Sequence, residues 1–508
     1  MRGNQRTQGE ESRKEGGKIF GGGSRTPVAI TLLIKDENYK GEKAEINYFD
    51  IGDYLSREQK LNILNHLQDI SKVDFTRIIP NKFNDWIGQR DESFNKFVLI
   101  GSKEKGNKEQ TIFESVYSRG LEGARDNWIY NFDKNTLAKN MDNTIKIYNQ
   151  ECEKYIGNKD YSKLINRNPK EISWSSSLEP KVFKGIKAIF DENKIRKAIY
   201  RPYCEEYLYY DEMFNHRQGQ MPSIFPTNKH HNLIIAINGI GGADFYSLIS
   251  NKIVDLGILS ASQCFPLYYY KKVEDNELDL KNSNAVIIDG YERKEAIRDW
   301  ALAEFQKVYN DRNITKEDIF YYIYGLFHSK EYVSKYKNNL SKMLPRIPYC
   351  IDFWGFSRIG RELANIHLNY ENIDIKLSKA KLITKTQNSL FDQAEQLSDN
   401  DFKVDKMRFD KNIKITDKPS KIIYNNKIVI ANIDEKAYDY IVNGKSAIAW
   451  VMERYQVKTD EDSGITNDPN LYSDDPRYIV DLMMKVIEVS LRSVELIEKL
   501  PALDILER

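Results

Sequence analysis

Apolar positions along this chain follow two periods, and the change from one to the other predicts the elements. Val28–Ile34 is an apolar run with the length of a buried strand, and Ala44–Ile51 alternates like a second. With the turn-like Asp36–Lys43 between them they predict a β-hairpin at a sheet edge. A hairpin alone buries too little to be stable. The rest of its sheet is therefore expected elsewhere, as if the chain began inside a domain. Ser56–Ile70 then takes helical spacing, with Leu61, Leu64 and Leu67 on one face widened by Ile63 and Ile70. Ser56 with Gln59 three residues on is a capping pair. Thr136–Tyr155 is a second helix, with Leu137, Met141, Ile145 and Tyr148 on one side. Asp160–Lys181 reads as a polar loop.

From Glu292 onward the helical period dominates. Ala296–Tyr309 is amphipathic, and Thr315 with Asp318 caps a helix whose stripe is Ile319, Tyr322, Ile323, Leu326 and Phe327. His328, near the end of that helix, reads as a partner of the helix dipole rather than an acid or base. Pro345–Pro348 interrupts the pattern and Trp354–Leu368 resumes it. Glu371–Tyr438 is rich in Lys and Asp, with strand-like runs such as Lys421–Ile430 around an Asn425–Asn426 turn, and reads as a β-rich surface insertion. Tyr438–Tyr455 and Asp474–Glu498 read as closing helices.

At 508 residues there is room for roughly two to four domains. A net charge of +1 excludes a histone-like polycation but leaves room for a basic cleft. Cys152, Cys204, Cys264 and Cys350 are far apart in sequence and form no CxxC, so neither a zinc site nor a disulfide framework is expected, and a reducing cytoplasm fits. The longest apolar runs are too short to span a bilayer, and no signal peptide is visible.

The densest candidate chemistry lies in Tyr200–Pro226 (YRPYCEEYLYYDEMFNHRQGQMPSIFP). Arg201 and Arg217 suit guanine edges or phosphates; Asn215, Gln218 and Gln220 suit adenine, and the tyrosines among them suit stacking or bracing. The same segment also reads as a Tyr-rich core strand followed by a polar loop. Arg119 and Arg125, in Ser118–Asp133, are phosphate candidates or surface partners of Glu122 and Asp126, and the surface pair with Glu122 is favoured for Arg125. Trp174 and Ser175–Ser177 either face DNA or bridge two elements. The Gly-rich Gly16–Arg25 lacks P-loop spacing; with Arg6, Arg13 and Arg25 it is either a loop that approaches a substrate backbone or a solvated one. Ile237–Phe245 (INGIGGADF) imitates a cofactor loop, but its glycine spacing is incomplete and it reads as a strand and turn. Lys458–Asp475 is acidic and is expected to face away from any phosphate backbone.

Several long blocks together resemble a known family. RGNQRTQGEESRKEGGKIFGGGSRTPVAITLLIK with YFDIGDYLSREQKL resembles the later part of the adenine-N6 methyltransferase domain of type ISP restriction–modification enzymes. SRGLEGARDNWIYNFD, ISWSSSLEPK, the Tyr200–Pro226 segment, FPLYYY, ITKEDIFYYIYGLFHSKEYVSKYKNNLSKMLPRIP and VNGKSAIAWVMERYQVKTDEDSGITNDPN continue it in family order. The resemblance implies a mixed α/β protein. Residues 1–115 would be edge strands and a helix of an incomplete Rossmann-like methyltransferase domain. Residues 116–508 would be an α+β target-recognition domain with a β-rich insertion near 371–438 and a helical C-terminal part. It further implies double-stranded DNA as partner, together with an N-terminal part carrying nuclease, helicase-like and methyltransferase domains. The family's S-adenosylmethionine loop and Asn-Pro-Pro-aromatic tetrapeptide are not in this sequence: Asn168–Pro169 and Asp468–Pro469 lack the second proline and the aromatic. No cofactor is therefore expected on this chain. DNA contacts are expected from Arg201, Asn215, Arg217, Gln218, Gln220 and Arg119, with Arg6, Arg13 and Arg25 along the catalytic-domain edge.

Overall fold

The computed structural model describes residues 28–507, apart from residues 42, 105–108, 242–243, 274–285, 385–396 and 411–416. Arg6, Arg13 and Arg25 lie outside the described residues, as does the loop that carries them.

Local signals set the helices. Arg57–Leu67 starts at Ser56, whose Oγ accepts the Gln59 N–H at 3.2 Å while Gln59 Oε1 accepts the Ser56 N–H at 2.7 Å. Lys316–His328 starts the same way, with Thr315 and Asp318 exchanging bonds of 3.2 and 3.0 Å. Each box satisfies two amide groups that a helix start leaves unpaired. Lys134–Tyr155 buries Leu137, Met141, Ile145 and Tyr148 as its spacing predicts.

The predicted N-terminal hairpin does not form. Ile46–Tyr48 pairs antiparallel with Thr76–Ile78, while residues 28–34 form no strand among the described residues. Ile30, Leu32, Leu33 and Ile34 are each at least 67% exposed. An apolar run signals a strand covered on both faces, and the described residues supply no cover for this one. The apolar face of Arg57–Leu67 is likewise only half covered.

The body of the molecule is mixed α/β, with two cores on either side of a shared sheet. That sheet is antiparallel, in the order Ser118–Arg119, Gln263–Pro266, Ile234–Ile237, Ser247–Ser250. Successive side chains of a strand point to opposite faces. Accordingly Ile234, Ala236, Leu248 and Cys264 enter one core, and Ile235, Ile237, Ile249 and Phe265 enter the other. The helices Lys316–His328 and Phe353–Leu368 belong to the second core and cross with their backbones touching. A Cβ at Gly325 would strike the Phe356 carbonyl, and one at Gly360 the Tyr321 carbonyl. Squeezed this closely, the first helix buries every residue from Ile319 to Phe327, not only the predicted stripe.

A second four-stranded sheet serves the first core, in the order Ile253–Val254, Ile195–Arg201, Cys204–Tyr209, Tyr130–Asn131; its first pair is parallel. Within 371–438 three strands form a further sheet, Lys381–Thr384, Ile428–Ala431 and Ile422–Ile423. Asn425 Oδ1 caps the turn by accepting the N–H groups of Lys427 and Ile428. This region is not set apart on the surface, because Ile422, Tyr424, Ile428 and Ile430 are buried in the first core. Tyr438–Tyr455 is not one helix. Ile441–Val442 and Lys445–Ser446 form a hairpin across Asn443 and Gly444, whose φ angles are 50° and 80°. Positive φ at both central residues is what a type I′ turn requires. The helix begins only at Ala447, capped by Ser446.

Candidate nucleic-acid interface

The turn joining Ile195–Arg201 to Cys204–Tyr209 and the loop Asp211–Gln220 place the predicted contact residues in one neighbourhood. It sorts them into two groups.

The first group is turned inward. The parallel pairing of Ile253–Val254 with Ala198–Ile199 carries Asp255 beside Arg201, and Arg201 Nη1 donates to Asp255 Oδ1 at 2.6 Å. Arg201 lies 3.9 Å over the Tyr200 ring and 4.0 Å from Asp126. Burial opposes the Arg201 charge, but Asp255 and its neighbours hold the guanidinium above its usual range. Burial pushes the Asp255 carboxyl up to about 6, against the pull of Arg201. Asn215 is 2% exposed. Its Oδ1 accepts the Asp211 N–H and the Gln218 amide, and its Nδ2 donates to the Tyr209 carbonyl. Asn215 is therefore unavailable to a base, and Arg201 is committed to an ion pair.

The second group faces solvent. The backbone N–H groups of Glu122 and Arg217 each bond the other's carbonyl, and the Gln220 N–H donates to Ser118 Oγ at 2.8 Å. Gly219, at φ +57°, makes that approach possible, since a Cβ there would strike Ser118 Oγ. These bonds fix Arg119, Arg217 and Gln220 along one exposed edge. The Arg217 side chain is 68% exposed, with Glu122 at 3.7 Å. Gln218 is half-buried and partly engaged by Asn215.

One expectation fails beside this edge. Arg125 neither pairs with Glu122 nor faces phosphate: it is buried and donates to the Phe214 carbonyl at 2.7 Å and to Ser175 Oγ at 2.6 Å. Burial pulls its guanidinium down to about 10. Ser175 and Ser177 thus bridge two elements, the latter through a 2.9 Å contact with His216 Nδ1. Of the acidic segment, Asp460 and Asp462 line the same cavity as Arg125 and Arg201. Sequence reasoning passed over Asp255, which sits in no motif.

The Gly cluster after Ile234–Ile237 does not fit a cofactor loop. It leads into the antiparallel strand Ser247–Ser250 rather than a helix, and a Cβ at Gly239 would meet the Ala261 carbonyl. His328 is not a charged dipole partner, since burial pulls its pKa down to about 4 and its Nδ1 sits 2.8 Å from the Tyr324 carbonyl. Among the described residues no helix is long and apolar enough to cross a membrane.

A mixed α/β scaffold that presents guanidinium and amide groups from loops on an exposed edge is the arrangement that recognition modules use, where loops on a firm framework carry specificity. Residues 111–482 match the family model of the type ISP C-terminal specificity domain, and the chain belongs to that family. Among solved structures it is similar to a nuclease-deletion mutant of the type ISP restriction–modification enzyme LlaGI in complex with a DNA substrate mimic. The identity is 37% and the TM-score 0.82, over 99% of this chain and 36% of that one. It is similar to the ATP-dependent type ISP enzyme LlaBIII bound to DNA (35%, TM-score 0.82, 99% and 30%) and to DrdV in a DNA complex (26%, TM-score 0.80, 100% and 47%). The chain thus spans 30–47% of the length of these three relatives. No curated protein matches it.

Proposed function

We propose that this chain reads the sequence of double-stranded DNA as the specificity part of a type ISP restriction–modification enzyme and positions a target adenine for N6 methylation. The observation that carries the reading is the match to the family's specificity domain over residues 111–482. The exposed edge of Arg119, Arg217 and Gln220 supplies the chemistry, two guanidinium groups and an amide able to reach phosphates or base edges. By this reading, residues 1–115 continue a methyltransferase domain and residues 116–508 form the recognition domain, at work in the cytoplasm. The partner is the N-terminal part of the enzyme, which carries the methyltransferase, helicase-like and nuclease domains and holds S-adenosylmethionine.

The exposed run Ile30–Ile34 bears on two further readings. In one, the chain completes an active methyltransferase with a part that supplies the cofactor loop and the tetrapeptide and covers this run. In the other, the chain is a non-functional remnant and the run stays bare.

The test is selection of random duplexes by the purified chain at two salt concentrations. One enriched asymmetric motif that survives the higher salt supports base reading. Motif-free retention that disappears as salt rises leaves phosphate attraction alone and overturns the proposal for the isolated chain.

A further inference from the structure

Beside the exposed edge, the end of the shared sheet carries a polar side chain that the proposed function leaves unused. Gln263 opens its strand and Arg119 closes the neighbouring edge strand, and the two stand directly opposite in the antiparallel register. Their row continues across the sheet through Ile237 and Ser247. It is exposed at Arg119, half-buried at Gln263 and buried beyond, so along this row the sheet opens to solvent at its first two positions. Directly opposed side chains share a face, with Cβ atoms about 4.5–5.5 Å apart. Two residues along each strand on that same face, the Tyr117 and Phe265 rings stack at 4.8 Å and are buried.

The backbone that delivers Gln263 is fixed. Ala261, at φ 53°, sits against Gly239, where a Cβ would strike the Ala261 carbonyl. Ser262 is fully buried, and both its N–H and its hydroxyl donate to the Leu256 carbonyl, at 3.1 and 3.3 Å. The side chain is not tied down in the same way. Among the described residues the Gln263 amide has no hydrogen-bond partner, and Arg119 has no ion pair. Asn215 has both ends of its amide engaged; Gln263 has neither.

A free amide offers one acceptor beside one donor. A phosphate only accepts and would leave the amide oxygen idle. The major-groove edge of adenine, with its N6–H donor beside the N7 acceptor, takes both. The spacing to Arg119 also suits a duplex, whose base pairs rise by about 3.4 Å. We infer that Gln263 is a specificity-determining residue, its amide pairing with N6 and N7 of one adenine in the major groove while Arg119 holds the adjacent base pair or its phosphate. This rests on the DNA-reading function proposed above and adds to it a residue and the base it reads.

Selection of random duplexes by the full chain, unsubstituted and as Gln263→Ala and Gln263→Glu, tests the inference. Gln263→Ala should lower the preference for adenine at one position of the motif by about tenfold and leave the other positions unchanged. Gln263→Glu, whose carboxylate accepts but does not donate, should replace adenine by cytosine at that position. It keeps the test decisive if the alanine variant fails to fold. 7-Deazaadenine at the same position lacks the N7 acceptor; it should weaken binding by the unsubstituted chain and leave Gln263→Ala indifferent. A motif that survives both substitutions intact, or a loss spread evenly over all positions, overturns the inference and leaves the proposed function standing. Absence of any motif from the unsubstituted chain overturns that function, and this inference with it.

Discussion

The exposed edge and the interior beneath it draw on the same residue types and put them to opposite uses. Arg217 and Arg201 lie in one short segment, yet Arg217 is 68% exposed while Arg201 is locked to Asp255. Gln220 projects from the surface, whereas Asn215, five residues earlier, has both ends of its amide engaged. Residue type therefore does not distinguish a reader of DNA from a brace. The distinction comes from which backbone carbonyls and carboxylates stand within about 3 Å, the reach of a hydrogen bond. A loop whose own braces are saturated presents its remaining polar groups in a fixed position, and that reduces the ordering cost of binding.

Substitutions should separate the two sets, the interior ones acting on stability. Arg201→Ala leaves Asp255 buried without its cation and should cost about 3–5 kcal/mol in a urea unfolding series. Any loss of DNA binding by this variant should follow its unfolding curve.

Acid should act on the interior and spare the edge. His328 is held neutral at a pKa of about 4, against an ordinary 6.5 for the unfolded chain. The unfolded state thus binds the extra proton between these values. The contribution of His328 is complete above pH 6.5, is lost as pH falls toward 4, and amounts to about 3 kcal/mol. Buried His367, 2.9 Å from Ser493 Oγ, shifts in the same direction. Unfolding midpoints at neutral and acid pH measure the effect, which His328→Gln should reduce.

Asn215→Ala removes the partners of the Asp211 N–H and the Tyr209 carbonyl and should cost about 2 kcal/mol of stability. If it instead relaxed sequence preference in a fully folded protein, the division between brace and reader would be wrong. Arg217→Ala sits at the other end of the scale. Stability should stay within about 0.5 kcal/mol. Under the proposed function, DNA affinity should fall and the logarithmic salt slope should shrink by about 0.9 for the lost phosphate contact. An unchanged slope would take Arg217 off the DNA.

The sequence determined what neighbours along the chain can settle between themselves. The capping boxes at Ser56 and Thr315 and the buried side of Lys134–Tyr155 follow from spacings of three and four residues. The Asn443–Gly444 pair is a local turn signal as well, and the helix expected over Tyr438–Tyr455 did not take it into account. The long idiosyncratic blocks were enough to indicate the family. Tertiary structure alone decided the rest, because the deciding partners are distant in sequence. Asp255 reaches Arg201 across 54 residues through a parallel strand pair, and Arg125 finds the Phe214 carbonyl across 89. Val28–Ile34 shows the converse: seven residues with the look of a strand form none where, among the described residues, no second strand comes alongside. Whether a charged or apolar side chain is buried depends on what folding brings against it, and a local pattern does not contain that information.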